Sequence, residues 1–384
     1  MLGLSTISRT DKSPRLTLLQ AEKVAYLPDT VSPRDFPVRS VIRTMEGYVP
    51  GEQPQDRRYI KLNTNENPYP PSPHVLQALR DAVADDLRLY PDPSASELRT
   101  KAAEVYAVAP DQIVAGNGSD DLLSMLFRAC VDAGTTADVA YPVPTYSLYD
   151  TLAQIQGSEP KTVPFGPDFI LPVEPLLAAG AHLNLICNPN SPSGTLTPLG
   201  AIADFAKRAK GVVVVDEAYA DFARESALPL LASCPNVVVL RTFSKSFSLA
   251  GMRIGLAFGS RELIAQLNKV KDSYNLDRLS LVAARAALDD LPWMRANIDK
   301  VKATREVLVR ELREMAFRVL PSEANFVFAV HPKLGGADLY RALRERGILV
   351  RHFATPALRD GLRITVGTNE QNGALVTALR SFSA

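Results

Sequence analysis

Two kinds of hydrophobic pattern alternate along the middle of this chain. Short runs that are apolar on both faces, such as "GVVVVD" and "NVVVLRT", indicate strands buried on both sides. Between them lie segments with helical spacing of apolar positions, including "GSDDLLSMLFRAC" and "TPLGAIADFAKRAK". This alternation predicts an α/β fold, in which a mostly parallel sheet is covered by helices on both faces.

The same pattern predicts the ends of several helices. One helix is expected from about His74 to Asp86, and another from about Ser96 to Tyr106. Ser119 is expected to cap the N-terminus of the helix at "GSDD", because its hydroxyl can accept a hydrogen bond from an unpaired N–H. Pro198 suits the first turn of a later helix.

The pattern changes twice along the chain and predicts three regions. Residues 1–60 are rich in proline and charge and have no clear period, so we expect an N-terminal extension and arm that packs with the small domain. Residues 61–275 alternate strands with helices and form the predicted large domain. Residues 276–384 carry a long helical stretch and then short strands, which predicts a smaller α+β C-terminal domain.

Composition narrows the possible functions. The 384 residues include 43 Lys+Arg and 42 Asp+Glu, so the net charge of +1 gives no general attraction to nucleic acid or an anionic membrane. Three widely spaced cysteines favour a cytoplasmic location over a disulfide framework, and four histidines show no metal-ligand spacing. No apolar stretch approaches the ~18 residues of a membrane span. The first 20 residues predict a frayed extension, with a transit peptide as the alternative.

Residues suited to chemistry follow the ends of the predicted strands. Asp216 ends "VVVVD", Lys245 follows "VVVLRTFS", and the turn "NPNSPSG" follows "LNLIC". Ligands of an open parallel sheet bind beyond these carboxyl ends. The helix N-terminus at "GSDD" attracts anions, although Asp120 and Asp121 can cap the helix without a ligand. Because burying an ammonium is costly, Lys245 either extends to the surface or performs chemistry.

These residues stand in motifs that resemble the fold-type-I pyridoxal-phosphate aminotransferases, above all "DEAYADF" followed by "SKSFSLAGMRIG". Over residues 40–384 the order of motifs is similar to that of the histidinol-phosphate aminotransferases: "LNTNENPYP", "YPDP", "GNGSDD", "PTYSLY", "NPNSPSG", "SEANFVF" and "GLRITVGT". The resemblance implies pyridoxal 5'-phosphate as cofactor. It also implies a homodimeric transaminase of histidine biosynthesis, which converts histidinol phosphate and 2-oxoglutarate to imidazole acetol phosphate and glutamate.

The resemblance implies a role for each residue that matches a family motif. Lys245 would be the Schiff-base lysine and proton shuttle, Asp216 would pair with the pyridine nitrogen, and Tyr219 would hydrogen-bond the ring 3′-oxygen. Tyr146 would stack on the ring, and Tyr149 is the neighbour most easily confused with it. The residues that would hold the cofactor phosphate are Arg253, Ser244, Thr242, the backbone at Ser119 and Asp120, and Tyr69 from across the dimer.

One motif departs from the family pattern. Ser191 stands where the family commonly has an asparagine that contacts the ring 3′-oxygen. Either Ser191 makes this contact through a shift or a water, or Asn190 substitutes for it. For the substrate, the resemblance implies that Arg363 clamps the α-carboxylate or the corresponding group, that Arg351 is a second anion contact, and that Tyr48 lines the side-chain pocket.

Two alternative functions have the same fold and share these motifs: an aromatic amino acid aminotransferase and a threonine-phosphate decarboxylase. A third alternative belongs to a different class of protein. A cofactor-binding regulator would need an attached DNA-reading module, and the residues before "LNTNEN" show neither a helix-turn-helix pattern nor a basic stripe. The expected partners are therefore a small amino donor, a 2-oxo acid and a second copy of the chain, without nucleic acid or membrane.

Overall fold

A computed structural model describes residues 37–383, and the expectations for residues 1–36 lie outside this part of the chain. The chain forms two compact units, Met1–Thr44 and Met45–Ala384. In the first unit the described part contains one short helix, α1 (Ser40–Thr44). All other described elements belong to the second unit.

The strands of the second unit lie in three sheets. They are β1 (Ile60–Lys61), β2 (Ile113–Gly116), β3 (Thr136–Val143), β4 (Glu159–Pro164), β5 (Leu183–Cys187), β6 (Val212–Asp216), β7 (Val237–Thr242), β8 (Gly255–Phe258), β9 (Arg318–Val319), β10 (Phe326–Val330), β11 (Ile348–Leu349), β12 (Arg351–His352) and β13 (Gly361–Thr365). The largest sheet has seven strands in the order β2-β8-β7-β6-β5-β3-β4. Strands β3 to β7 run parallel, and β8 runs antiparallel to both of its neighbours.

Helices of the second unit cover both faces of the seven-stranded sheet, and the last three of them pack around the smaller sheets. They are α2 (Pro73–Ala82), α3 (Ser96–Tyr106), α4 (Ser119–Cys130), α5 (Leu148–Gln156), α6 (Val173–Ala179), α7 (Leu199–Arg208), α8 (Arg261–Val270), α9 (Arg278–Asp289), α10 (Leu291–Glu314), α11 (Gly336–Glu345) and α12 (Asn369–Ser383). In β6, Val213 and Val215 belong to one apolar cluster and Val214 to another. Successive side chains of a strand point to opposite faces, so a valine run fits a sheet buried on both sides. The predicted α/β fold is confirmed.

The other two sheets are smaller. Strands β12, β13, β10 and β9 form a four-stranded sheet in that order, and β1 pairs in parallel with β11. In the four-stranded sheet Arg363 lies opposite Arg351 on one side and opposite Phe328 on the other. This arrangement follows the α+β pattern of the C-terminal sequence, while the boundaries at residues 60 and 275 remain predictions.

Three predicted helix ends are wrong. The helix from Pro73 stops at Ala82, because Val83 adopts a non-helical ψ of 86°, and a separate 3₁₀ turn occupies Asp85–Arg88. The N-cap of α4 is Gly118, so Ser119 is the first helical residue. The φ of Gly118 is 82°, a conformation that glycine adopts without steric penalty. Pro198 is the N-cap of α7, one position before its first turn. No helix within residues 37–383 is long and apolar enough to cross a membrane.

Candidate active site

Three loops meet at the carboxyl edge of the large sheet. Strands β5, β6 and β7 are parallel neighbours, and Cys187 pairs in register with Asp216, which pairs in turn with Leu240. The loops that follow these strands therefore leave the sheet side by side. They carry "NPNSPSG", "EAY" and "FSK", the segments in which the sequence predicted the chemistry.

Asp216, the last residue of β6, is a buried acid without a cation beside it. It is 2% exposed, and its two carboxylate oxygens accept hydrogen bonds from the Tyr149 hydroxyl at 2.8 Å and the Ala218 N–H at 3.2 Å. Burial raises the pKa of Asp216 to about 6, and the two hydrogen bonds offset part of that rise. No Lys, Arg or His of the described residues forms an ion pair with it, so a cationic N–H from a ligand would stabilise its ionised form.

Lys245 lies in the loop after β7 and is partly buried. Its Nζ donates a hydrogen bond to the Thr64 carbonyl at 3.3 Å and lies 5.8 Å from the centre of the Tyr219 ring. Burial lowers the pKa of Lys245 to about 8, and the positive charges of Arg363 and Arg253 contribute to the same direction. A lysine with this pKa is partly neutral near physiological pH, as a nucleophile or a base requires.

A concave group of donors lies at the N-terminus of α4. Gly118 caps this helix without a side-chain hydrogen bond, so the first N–H groups remain available. A Cβ on Gly118 would lie 2.6 Å from the guanidinium of Arg253, and one on Gly255 would lie 2.7 Å from the backbone N of Ser119. The two glycines therefore allow Arg253 and the helix end to approach one another closely. Arg253 also donates to the Ser244 hydroxyl at 3.2 Å, which completes a cradle suited to phosphate.

Asp120 and Thr242 contact members of this cradle through hydrogen bonds. The carboxylate of Asp120 accepts hydrogen bonds from the Tyr146 hydroxyl at 3.1 Å and from Arg253 at 3.2 Å. The Thr242 hydroxyl donates to the Ile254 carbonyl at 3.3 Å and accepts from the backbone N–H of Ser244 at 3.2 Å. The side chains of Asp120 and Thr242 thus hold other members of the cradle in place.

Two predicted tyrosines border the same edge. Tyr219 is 8% exposed, packs edge-on against Phe326 and accepts a hydrogen bond from Asn65 at 3.1 Å. Tyr146 lies between Tyr149 and Tyr48, with ring centres 5.7 Å and 6.1 Å away. The structure therefore brings Tyr48, from the predicted arm, to the same side as Tyr146.

In the turn after β5, the side chains of Asn190 and Ser191 differ in how many hydrogen bonds they make within the fold. The Asn190 amide donates to the Pro144 carbonyl at 3.2 Å and the Ser193 hydroxyl at 2.9 Å, and its oxygen accepts from Thr145 at 2.8 Å. Its hydrogen-bonding capacity is largely used within the fold. The Ser191 hydroxyl accepts one bond, from Arg363 at 3.2 Å, and retains its own proton.

Arg363 and Arg351 lie opposite each other on neighbouring strands. Their guanidinium carbons lie 5.6 Å and 5.4 Å from the centre of the Phe353 ring. Among the described residues neither arginine forms an ion pair: Arg363 donates to the Asn63 carbonyl at 2.8 Å, and Arg351 to the carbonyls of Val49 and Pro50 at 3.2 Å. The buried Nε of Arg363 has no hydrogen-bond partner. Two like charges held together in this way favour an anionic ligand.

Arg363 and Lys245 are close in space. They donate hydrogen bonds to the carbonyls of consecutive residues, Asn63 and Thr64. The turn after β5 is also connected to Arg363 through Ser191. The arginine pair, the lysine and the loops at the end of the sheet therefore form one site.

Tyr69 is the predicted residue that the single chain holds elsewhere. Its ring lies 4.9 Å from the ammonium of Lys300 on α10. Sequence reasoning in turn missed two residues that contact the site, Tyr149 as the hydrogen-bond donor to Asp216 and Asn65 as the donor to Tyr219. For Tyr149 the signal was its spacing: three residues after Tyr146, it lies on the first turn of α5.

Known proteins with similar sequences identify the class of enzyme to which this chain belongs. Residues 57–379 match the family model of the class I and II aminotransferases, and the chain belongs to this family. The histidinol-phosphate aminotransferase of Citrifermentans bemidjiense is 49% identical over 346 residues, which cover 90% of this chain and 98% of that enzyme. Histidinol-phosphate aminotransferase 1 of Trichormus variabilis is 46% identical over 345 residues, with coverages of 90% and 98%. These relatives place the chain among the histidinol-phosphate aminotransferases of this class.

Solved structures agree in fold. Histidinol-phosphate aminotransferase from Sinorhizobium meliloti, in complex with pyridoxal-5'-phosphate, has a TM-score of 0.82 and 28% identity, and the match covers 92% of this chain and 99% of that chain. The enzyme from Clostridium acetobutylicum, at 21% identity and a TM-score of 0.77, shares the fold over 84% of this chain and 98% of its own. The predicted class of enzyme, a transaminase, is confirmed by these matches and by the family model.

Proposed function

We propose that this aminotransferase uses pyridoxal 5'-phosphate to transfer the amino group of histidinol phosphate to 2-oxoglutarate, giving imidazole acetol phosphate and glutamate in histidine biosynthesis. The names of its relatives support this reaction. The observation that carries it is the pair of guanidinium groups of Arg351 and Arg363, which lack carboxylate partners among residues 37–383. Of the two, Arg363 lies close to Lys245. A phosphorylated amino donor and a dicarboxylic oxo acid both present anions to such a pair.

The site suits pyridoxal phosphate in three respects. A Cβ on Gly118 or on Gly255 would fill the cradle formed by Gly118, Ser119 and Arg253. Glycine at both positions is expected where a phosphate must fit. Asp216 is buried and, among the described residues, accepts hydrogen bonds from neutral donors only, which suits a protonated ring nitrogen. Lys245 has a lowered pKa and forms no salt bridge with any residue of the described part of the chain. When bound, the cofactor supplies an electron sink for the bonds that break at the substrate's Cα.

The residues at the strand ends then have distinct tasks. Lys245 would hold the cofactor covalently until the substrate's amine displaces it, and the freed Nζ would then carry the proton from the substrate's Cα to the cofactor side. The carboxylate of Asp216 would keep the ring nitrogen protonated. The Tyr219 hydroxyl would donate a hydrogen bond to the ring oxygen, and Tyr146 would pack against the ring face. We assign the second contact with the ring oxygen to Ser191, because the amide of Asn190 is already hydrogen-bonded within the fold.

The cradle holds the cofactor phosphate through three kinds of donor. The backbone N–H groups of Ser119 and Asp120 supply the helix-end contacts, Ser244 supplies a hydroxyl, and Arg253 supplies a guanidinium. Thr242 acts through Ser244, since its own hydroxyl proton is donated to the Ile254 carbonyl. On the substrate side, Arg363 and Arg351 bind its anionic groups, and Tyr48 lines the pocket next to Tyr146.

We also propose a homodimer that works in the cytoplasm. Apolar residues on one part of the surface support self-association, since they stay 45–78% exposed in the single chain: Val83, Leu87, Leu89, Tyr90 and Tyr274. Tyr69 is then the residue that reaches the phosphate of the partner's cofactor. The three cysteines are unpaired, as a reducing compartment requires. Residues 61–275 would form the cofactor-binding domain, 276–384 the small domain, and 1–60 the arm.

Cofactor absorption tests the choice of substrate directly. The purified holoenzyme is mixed separately with histidinol phosphate, phenylalanine, tyrosine or threonine phosphate, without an oxo acid. Conversion of the cofactor band at the lowest concentration of histidinol phosphate, followed by glutamate formation after addition of 2-oxoglutarate, supports the proposal. Conversion by the aromatic amino acids alone, or carbon dioxide released from threonine phosphate, replaces the proposed substrate with one of the alternatives.

Arg363→Lys tests the anion site within the same assay. Lysine keeps the charge and loses the bidentate geometry, so we expect the KM for histidinol phosphate to rise about tenfold or more. Arg359→Lys is the matched control, because the Arg359 side chain is 66% exposed. Equal KM values for the two variants would contradict the role of Arg363.

A further inference from the structure

Four buried polar side chains connect separate parts of the second unit. Asn65, Tyr219, Asn325 and Thr365 are 1%, 8%, 0% and 2% exposed. Asn65 follows β1, and Tyr219 follows β6 of the large sheet. Asn325 and Thr365 belong to the four-stranded sheet, one directly before β10 and the other at the end of β13. Hydrogen bonds among these four residues therefore tie the four-stranded sheet to the carboxyl edge of the large one.

The backbone of Asn65 is fixed on both sides. Its N–H donates to the Thr365 hydroxyl at 3.0 Å, and its carbonyl accepts from the Asn325 amide at 2.9 Å. The φ of Asn65 is 56°, in the left-handed region that asparagine adopts more readily than most residues. The side chain of Asn65 consequently leaves the backbone in one direction, towards Tyr219.

The threonine determines which way the Asn65 amide faces. The Thr365 hydroxyl already accepts from the Asn65 N–H, and it donates its single proton to Asn65 Oδ1 at 3.0 Å. The amide nitrogen must then face the Tyr219 hydroxyl, 3.1 Å away, and it can only donate. If the amide were turned over, the buried Thr365 proton would lose this acceptor. The Tyr219 oxygen therefore accepts a hydrogen bond from Asn65, and the phenolic proton remains available for donation.

We propose that Asn65 is a positioning residue that makes Tyr219 a hydrogen-bond donor toward the ring oxygen of the cofactor. The inference rests on the role proposed for Tyr219. The ring of Tyr219 is held edge-on to Phe326, with ring centres 5.0 Å apart, so rotation of the hydroxyl proton is its remaining freedom. Asn65 restricts this rotation, because its amide N–H occupies one acceptor position of the Tyr219 oxygen. Through Thr365, the small sheet controls the direction of a proton in the active site.

Asn65→Asp reverses the donor with little change in shape, and aspartate also tolerates a positive φ. In the variant Tyr219 must donate its proton to the new carboxylate, and the ring oxygen loses a donor. We expect the pH midpoint of the cofactor's visible absorption to rise by about one unit, and the Kd for pyridoxal phosphate to rise about tenfold. Thr365→Ser keeps the hydroxyl and is expected to match the parent.

Charged and titratable groups around Tyr219 also affect this midpoint: Arg363 on β13, Asp216 on β6 and Cys187 on β5. Lys245, beside the Tyr219 ring, supplies the nitrogen that titrates. Repeating Asn65→Asp in a Tyr219→Phe background separates their influence, since the field of the new carboxylate persists there. We expect Asn65→Asp to shift the midpoint much less in this background than in the parent, because only the field of the carboxylate remains. Asn65→Gly, which fits the positive φ and adds no charge, is expected to shift the midpoint in the same direction as Asn65→Asp.

Two results would overturn the inference in different ways. If Tyr219→Phe raises the midpoint and Asn65→Asp shifts it by the same amount in both backgrounds, Asn65 acts by charge or packing and not through Tyr219. If Tyr219→Phe itself leaves the midpoint and the Kd unchanged, the proposed role of Tyr219 fails and the inference fails with it. Thermal unfolding of each apoprotein reports whether a variant has lost its fold.

Discussion

Two carboxylates stand side by side at the end of β6 in opposite surroundings. Asp216 and Glu217 are 2% and 1% exposed, so both have been removed from water to a similar extent. Glu217 lies 2.9 Å from the guanidinium of Arg241. Within residues 37–383, Asp216 meets only neutral donors, the Tyr149 hydroxyl and the N–H of Ala218. The cost of burying a carboxylate is therefore offset by a cation at Glu217 and only by neutral hydrogen bonds at Asp216.

The difference distinguishes carboxylates that stabilise the fold from a carboxylate that is available to a ligand. Arg241 also contacts Asp221 at 2.5 Å, and Asp221 accepts a hydrogen bond from Ser246, the residue after Lys245. This paired cluster joins the end of β6 to the lysine loop. Buried charges without partners destabilise a protein, and they are retained where a ligand completes them. On this view, removing a charge from the paired cluster costs stability, and removing one from the unpaired set costs activity.

The largest expected effect is that of Lys245→Ala on the rate of amino transfer. The variant loses the covalent attachment and the proton carrier, so we expect activity to fall by about 10⁴-fold or more. Stability of the apoprotein should not fall, because burial that lowers the pKa of Lys245 to about 8 disfavours the folded cation. Steady-state rates and urea unfolding measure the two quantities. Lys333→Ala, at an exposed position, is the control, and a residual rate within tenfold of the parent would contradict the assignment.

Arg241→Met should have the next largest effect, this time on stability. It leaves the buried Glu217 and the half-buried Asp221 without their cation, which is expected to lower the free energy of unfolding by about 3–5 kcal/mol. Unfolding of the apoprotein in guanidinium chloride measures the change. In the control, Arg208→Met, the ion pairs removed are solvent-exposed, and the unfolding midpoint should hardly move. Equal shifts for the two variants would remove the distinction between the clusters.

Asp216→Asn should stabilise the apoprotein while abolishing cofactor function. Burial raises the pKa of Asp216 from about 4 to about 6, so the parent loses stability as pH rises through this interval. The variant has no such group. It should therefore be more stable by about 2–3 kcal/mol above pH 7, with the difference vanishing below about pH 4. Urea unfolding at several pH values measures this, and a difference independent of pH would show that Asp216 is not the cause.

Local pattern predicted the frame of this site well. The valine runs of β6 and β7 predicted two strands buried on both faces, and those strands place Asp216 and Lys245 at one edge. The antiparallel β8 carried no such signal. Only four residues long, it follows a loop that contains one 3₁₀ turn and no α-helix, so no crossover helix indicated its direction.

The contacts that tune the site were beyond local pattern. Asn65 and Tyr219 are 154 positions apart, and Tyr149 and Asp216 are 67 apart. Their hydrogen bonds exist only because separate strands and helices end at the same place. The cap of α4 was missed for a related reason. Gly118 is placed there by the close approach of Arg253, which leaves no room for a Cβ.

Tyr149→Phe should produce the smallest of these effects and the most specific. The tyrosine hydroxyl lowers the pKa of Asp216 against the opposing effect of burial, so its loss should raise that pKa above about 6. The acid side of the pH–activity profile should then shift to higher pH by less than about one unit, with a stability loss of about 1 kcal/mol. Tyr141→Phe is the control: Tyr141 packs edge-on against Tyr149, with ring centres 5.6 Å apart, but its hydroxyl donates to Asp150. A shift of equal size in both variants would assign the effect to packing among the tyrosines, and Asp216 would then owe its pKa to burial alone.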